Sequence, residues 1–139
     1  MSVHTLHAAT PVSTLPVQVM LEMFDQPIHF HPWCARITQS ALAGLLLSMC
    51  LRKAQAMMDP DGWGIEGARG VLPEDTWFEL PVDEVTRVTG MSRHEQQAAK
   101  RCLAALGYLE SCKKGLPAVH LYRVNMPRLM SELEASLSS

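Results

Sequence analysis

The side chains with the clearest chemistry are cations and amides that lie between positions 87 and 128. The chain has 12 Lys and Arg residues, and eight of them fall in this segment, where only Glu95 and Glu110 oppose them. The segment is therefore formally +6 (8 − 2), while the remainder, with 4 basic and 12 acidic residues, is −8 (4 − 12). The overall charge of −2 conceals a basic segment whose local field attracts polyanions.

Arg93 and Gln97 are the two side chains best suited to reading base edges in DNA. Arginine can bond guanine bidentately and glutamine can bond adenine, and on a helix these two positions lie one turn apart. Such residues are also typical of a solvated helix face, whereas lysines and arginines nearby suit phosphate contacts. The residues predicted to contact DNA are Arg93, His94, Gln96, Gln97, Lys100, Arg101, Lys113 and Lys114.

The cysteines and histidines are not spaced as metal ligands. The four cysteines include no C-x-x-C pair, and the six histidines form no matching pairs. Cytosolic cysteines of this kind usually act as small hydrophobes. The chain also has no G-x-x-x-x-G-K-[ST] phosphate loop and no nucleophile motif. We therefore expect no metal, no cofactor, no catalytic residue and no enzymatic activity.

Two short helices are predicted around the first cations. Pro81 suits a first helical position, and Gly90 can adopt the positive φ of a tight turn. Ser92 and Glu95 match the S-x-x-E capping box that begins a second helix, and Gly107 ends that helix. The helical wheel predicts a buried face made of Ala98, Cys102, Ala105 and Leu106, with Ala99 and Leu103 at its margin.

A hairpin and a last helix follow. Alternating residues predict antiparallel strands at 108–112 and 119–125, joined by a basic wing at 113–118, and residues 77–80 predict one more short strand. Pro127 opens a helix over 128–138. Its apolar stripe, expected to pack on the domain or on a second copy, consists of Leu129, Met130, Leu133 and Leu137.

The N-terminal half is predicted to supply the core. From about Thr38 to Ala54 the apolar residues recur at helical spacing and cover nearly the whole circumference, which favours a central position. Residues 17–24 predict a short strand or helix, residues 27–33 an irregular packed connection, and residues 63–75 a glycine-rich loop.

These elements predict a chain that is mainly α with a small antiparallel β-wing (α+β), arranged as a winged helix-turn-helix with an N-terminal extension and a C-terminal helix. We expect a flexible arm at 1–16, a single winged-helix domain at 17–125 and the C-terminal helix at 126–139. With 139 residues and 47% apolar composition, one core is expected. The absence of a secretory signal and of an apolar run of ~20 residues favours a cytoplasmic protein without membrane contact.

Several segments resemble small phage- and plasmid-encoded winged-helix proteins that are associated with replication initiation. The more specific ones are the Gly-x-Ser-Arg turn at 90–93 and the Lys-Gly-x-Pro-Ala wing tip at 114–118. Weaker similarity is spread over residues 24–28, 37–40, 61–63 and 121–125. The resemblance implies DNA binding near a mobile-element origin, or recruitment of a replication factor.

The sequence therefore predicts a non-enzymatic protein of a bacterial phage or plasmid that binds double-stranded DNA and acts in replication initiation or its control. Two alternatives stay open, a transcriptional repressor of the same fold and a protein-interaction adaptor that uses the winged helix to bind protein. A replication protein, an RNA polymerase component and a second copy of the chain are the further partners considered.

Overall fold

The computed structural model describes residues 16–23, 30–58 and 75–138. Six helices and one two-stranded antiparallel sheet occur in these ranges, so the chain is mainly helical and of the α+β class. The predicted arm up to residue 15 and nearly all of the predicted loop at 63–75 lie outside the described residues. The elements are α1 (Val17–Met23), α2 (Pro32–Thr38), α3 (Ala41–Met58), α4 (Val82–Thr89), α5 (Arg93–Ala105), β1 (Leu109–Lys114), β2 (Val119–Val124) and α6 (Met126–Ser138).

Helix α3 is the centre of the core, as its apolar circumference predicts. Leu46, Leu47 and Cys50 are fully buried within it, and the helix packs against α2, α5 and β2. At its far end, Lys53 Nζ donates a hydrogen bond to Glu84 Oε1 at 2.6 Å, which links α3 to α4. A helix that is covered on several sides needs apolar residues all round, because no face is left for water.

Helix α2 corrects the prediction of an irregular connection at 27–33. Pro32 occupies the start of this helix, where its missing N–H costs nothing. The backbone N–H of His31 donates to Ser48 Oγ at 3.0 Å, and this bond ties the start of α2 to α3. At the other end, Gln39 takes a left-handed conformation, φ 54°, and the chain turns back into α3. Pro32 therefore marks a helix start that was misinterpreted as a loop, while residues 27–29 of that prediction lie outside the described residues.

Gly44 allows α2 and α3 to approach closely. A Cβ atom added to Gly44 would lie 2.5 Å from Ala35 Cα and 2.6 Å from Ala35 N. Both of those atoms belong to the backbone, so neither can move aside without shifting the whole of α2. The packing of the two helices is therefore set by the absence of a side chain at this position.

The hairpin pairs β1 with β2 from Leu109 opposite Val124 to Lys114 opposite Val119. Phe78 adds a short third pairing beside β2, since Phe78 and Tyr122 exchange backbone N–H···O bonds of 2.9 and 2.8 Å. The predicted strand at 77–80 is thus reduced to a single bridge. Strand β1 also continues through Lys114, so the turn between the strands contains only residues 115–118.

Helix α6 packs on the rest of the chain mainly through its first turns. Leu129 is buried, whereas Met130, Leu133 and Leu137 are 60%, 44% and 79% exposed. Near its C-terminal end the helix is held by a 3.4 Å hydrogen bond that Trp33 Nε1 donates to Ser136 Oγ. Only one residue of the predicted apolar stripe therefore enters the core. None of the helices in the described ranges is long and apolar enough to cross a membrane.

Replacing Gly44 with alanine should destabilise the protein by about 1–3 kcal/mol, because the added methyl group overlaps the backbone of α2. Helix propensity alone predicts the opposite sign, a gain of roughly 1 kcal/mol for this change. Urea unfolding followed by circular dichroism measures the difference. Gln55→Ala, on the exposed side of α3, is the matched control and should change the free energy of unfolding by less than about 0.5 kcal/mol. A stabilised Gly44→Ala variant would show that α2 and α3 are not in close contact.

Candidate nucleic-acid interface

A short turn joins α4 to α5 and sets their relative orientation. Gly90 ends α4 with φ 78°, a conformation that side chains disfavour, and its N–H donates to Thr86 O at 2.8 Å. Met91 then inserts into the core with 1% exposure. The predicted turn is confirmed, since Gly90 supplies the positive φ and the buried Met91 side chain anchors the turn in the core.

Both ends of α5 carry the predicted caps. Ser92 Oγ accepts a hydrogen bond from the Glu95 N–H at 3.2 Å, and Glu95 Oε1 accepts one from the Ser92 N–H at 2.9 Å. The hydrogen bond from the Ser92 backbone N–H to the carboxylate is the largest cause that lowers the pKa of Glu95. At the C-terminus, the Gly107 N–H donates to Ala104 O and the Tyr108 N–H donates to Leu103 O. These two hydrogen bonds are the pair that defines a Schellman motif. The helix is therefore defined at both ends by local sequence.

Gln96 does not belong to the surface that was predicted to contact DNA. It is only 1% exposed, and its Nε2 group donates to Val82 O at 3.1 Å, Thr86 Oγ1 at 2.9 Å and Met91 O at 3.0 Å. The amide thus joins α4, the turn and α5 inside the protein. The prediction for this residue is wrong because its Nε2 group is bonded to oxygen atoms of the neighbouring helix and turn inside the protein, while its buried Oε1 has no hydrogen-bond partner among the described residues.

The buried face of α5 is rotated from the predicted one. It centres on Gln96, Ala99 and Leu103, whereas Ala98 and Ala105 are exposed. The helical wheel placed the polar Gln96 outside the core and the alanines Ala98 and Ala105 inside it. The predicted buried face was therefore rotated from the observed one. The outward side chains of the predicted set on this helix are Arg93, His94, Gln97 and Arg101.

Lys100 lies at the edge of the buried face and is only partly accessible. Its Nζ atom is 4.8 Å from the centre of the Tyr122 ring, an attractive cation–π contact. Burial lowers the pKa of this ammonium group, and the nearby Cys50 raises it. Lys100 therefore connects α5 to the hairpin rather than extending freely from the helix.

Lys113 and Lys114 project from opposite faces of the hairpin because side chains alternate along a strand. Lys113 is paired with His120, on the face that also carries Tyr122 and contacts α5 through Lys100. Lys114 lies on the other face, with Glu110 and Arg123. Both lysines were predicted to lie in the basic wing that joins the strands, but β1 includes them and directs them to different surroundings.

Acidic groups in the basic segment are already engaged. Glu95 caps α5, and Glu110 Oε2 accepts a 3.0 Å hydrogen bond from Arg123, whose guanidinium also lies 4.4 Å from the Trp77 ring centre. Arg128 pairs with Glu132 at 2.8 Å. Within the described ranges, six of the eight cations have no acidic partner within ion-pair distance, namely Arg87, Arg93, Lys100, Arg101, Lys113 and Lys114.

Two residues of this surface were missed in the sequence. His120 and Tyr122 stack with ring centres 5.0 Å apart and an interplanar angle of 19°, next to Lys100 and Lys113. Period-two alternation in β2 placed His120, Tyr122 and Val124 on one face, which was the available signal. Lys100 could not be assigned to the same cluster without the tertiary packing of α5 on the hairpin.

The described residues contain no group of three or more His, Cys, Asp or Glu side chains able to hold a metal ion. All four cysteines are free thiols, and burial raises the pKa of Cys50 to about 12. That thiol therefore stays protonated at neutral pH, as expected for a cysteine that serves as a small apolar side chain.

No protein-family model, no curated protein and no solved structure matches the chain.

Replacing Gln96 with alanine should cost about 1–3 kcal/mol of stability, because three buried acceptors lose their common donor. The adjacent Gln97→Ala is the control, since Gln97 is exposed and its loss should change stability by less than about 0.5 kcal/mol. Thermal unfolding of both variants measures the difference. Equal melting temperatures for the two variants would contradict the assignment of Gln96 to the interior.

Proposed function

We propose that the protein is a non-enzymatic DNA-binding protein built as a winged helix-turn-helix. The observation that carries this proposal is the set of six cations on α4, α5 and β1 that have no acidic partner within ion-pair distance among the residues that the structure describes. The two acids of that segment, Glu95 and Glu110, offset only two of its eight cations, so the segment stays formally +6. A surface of this kind attracts a polyanion even though the whole chain is slightly acidic.

Helix α5 is proposed to enter the major groove as the recognition helix. Its 13 residues are preceded by α4 and a tight turn, which is the order of elements in helix-turn-helix proteins. Arg93 and Gln97 are the candidates for base contacts, since both are exposed and lie one turn apart near the N-terminus of the helix. His94 and Arg101 flank them on the same exposed side and are assigned to base or phosphate contacts.

The hairpin is proposed to act as the wing. Lys113 lies on the hairpin face that is directed to α5, so it is better placed than Lys114 to contact the same duplex. Lys114 is assigned to a neighbouring phosphate near the strand end. These contacts position the protein on the duplex without reading its sequence.

Replication initiation or its control in a bacterial phage or plasmid is the biological role we favour, on the resemblance of the turn at 90–93 and the wing tip at 114–118. A transcriptional repressor would use the same surface in the same way. A replication protein or an RNA polymerase component is the corresponding protein partner in each case.

A protein-interaction adaptor is the second candidate, and one observation favours it. Met130, Leu133 and Leu137 form an exposed apolar stripe on α6, and such stripes are common at protein contacts. This stripe lies on an element different from the cations, so an interaction there and DNA binding by α5 are compatible. A second copy of the chain is an equally simple occupant.

Arg93→Ala should weaken binding to a preferred duplex by about 1–3 kcal/mol and relax the base preference at one position. Arg101→Ala should weaken binding to all duplexes alike and lower the salt slope, the change of log K with log salt concentration, by about 0.9. Selection from a random pool, followed by anisotropy titrations at several salt concentrations, measures both effects.

Arg36→Ala is the matched control for these two variants. Arg36 is exposed on α2, and α2 reaches α5 through the contact of Thr38 with Cys102, on the side of α5 away from Gln97. Its loss should leave affinity and salt slope unchanged. Absence of any duplex binding by the wild-type chain at low salt would reject the DNA proposal and favour the adaptor.

A further inference from the structure

Lys100 and His120 both contact the ring of Tyr122, and Lys113 lies on the same face of the hairpin. Lys100 approaches it from α5 at 4.8 Å, and the His120 imidazole stacks on it with ring centres 5.0 Å apart. Lys113 stands opposite His120 in the neighbouring strand and on the same face. Tyr122 thus acts as a platform that holds Lys100 and His120 in defined positions.

A groove of about 440 Å³ opens beside this cluster, between residues 79–82 and β2. Leu80, Pro81 and Val119 give it apolar walls, while Lys100 and His120 line it with polar groups. Glu79 is the acidic residue of the lining. In the part of the chain that the structure describes, neither Lys100 nor His120 has an acidic partner within ion-pair distance.

The backbone of β2 adds a donor to the same groove. Tyr122 directs both its N–H and its C=O to Phe78, and so away from β1. Because these directions repeat every second residue in an antiparallel strand, His120 also directs its N–H away from β1, toward the groove side. The segment that follows Phe78 reaches Pro81, the N-cap residue of α4. Pro81 has no backbone N–H. A backbone N–H and two cationic side chains together suit a phosphate oxygen.

We infer that this groove binds one phosphodiester of the DNA backbone, and that His120 takes up a proton from solvent when the phosphate is bound. The inference rests on the proposed DNA-binding function and locates one contact within it. In the free protein, a positive charge on the His120 imidazole would face Lys113 from β1 and Lys100 from α5. Glu79 is the acidic side chain of the groove. A bound phosphate adds negative charge beside the two lysines and the imidazole, so the protonated imidazole becomes more favourable. Histidine side chains change charge between about pH 5 and pH 8, which makes the coupling measurable.

The test is the affinity of the full chain for a random-sequence duplex, measured by anisotropy at constant salt between about pH 8 and pH 5.5. Wild-type protein should bind about fivefold more tightly at the lower pH, because binding and protonation of His120 favour each other. His120→Gln should lose most of this gain. His120 is exposed, so this variant should fold normally, and its melting temperature checks that.

His31→Gln is the matched control, because His31 is an exposed histidine at the start of α2 and has no place in the proposed DNA surface. It should retain the pH-dependent gain that His120→Gln loses. A full pH effect in His120→Gln, or its disappearance in His31→Gln alone, would overturn the inference. Either result leaves DNA binding itself intact, whereas a wild-type chain that binds no duplex at any pH would reject the proposed function.

Discussion

The buried amide of Gln96 holds together the part of the molecule on which every proposed contact depends. Burying an amide is costly, and here three oxygen atoms from α4 and the turn offset that cost for the Nε2 group, whereas the Oε1 atom has no hydrogen-bond partner among the described residues. Thr86 belongs to the same network, since its hydroxyl donates to Met91 O at 2.9 Å. Any other orientation of α4 on α5 would leave these groups unpaired. The network therefore fixes the direction in which Arg93 and Gln97 extend.

Helix α3 gives that unit a rigid support. It is covered by α2, α5 and β2, and its tightest contact is made possible by the missing side chain of Gly44. The Lys53–Glu84 pair adds a polar link to α4 at the edge of the core. Because the inner side of α5 packs on the buried helix α3, its exposed side can be presented to a partner without internal rearrangement. The apolar core thus holds the charged surface of α5 in place.

Charge is distributed so that acids serve structure while most cations stay available. Glu95 caps a helix and Glu110 pairs with Arg123, and these two acids offset only two of the eight cations of the segment. Aromatic rings hold several cations in place, including Lys100 over Tyr122 and Arg128 over Tyr108. Contacts of this type immobilise long side chains before a ligand arrives, which reduces the entropy lost on binding.

Local signals in the sequence were sufficient for the helix caps, the turn at Gly90, the central helix and the existence of the hairpin, because each depends on residues close together in the chain. The tertiary structure decided the rest. Adjacent glutamines at 96 and 97 are alike in type, yet only the acceptors supplied by α4 and the turn make one of them a core residue. Likewise, the packing of α5 on the hairpin joined Lys100 to the face of β2 that carries His120. Sequence determines which elements form, since their hydrogen bonds are local. The partners of a polar side chain come from elements that are distant in the chain, so they are known only once those elements have packed.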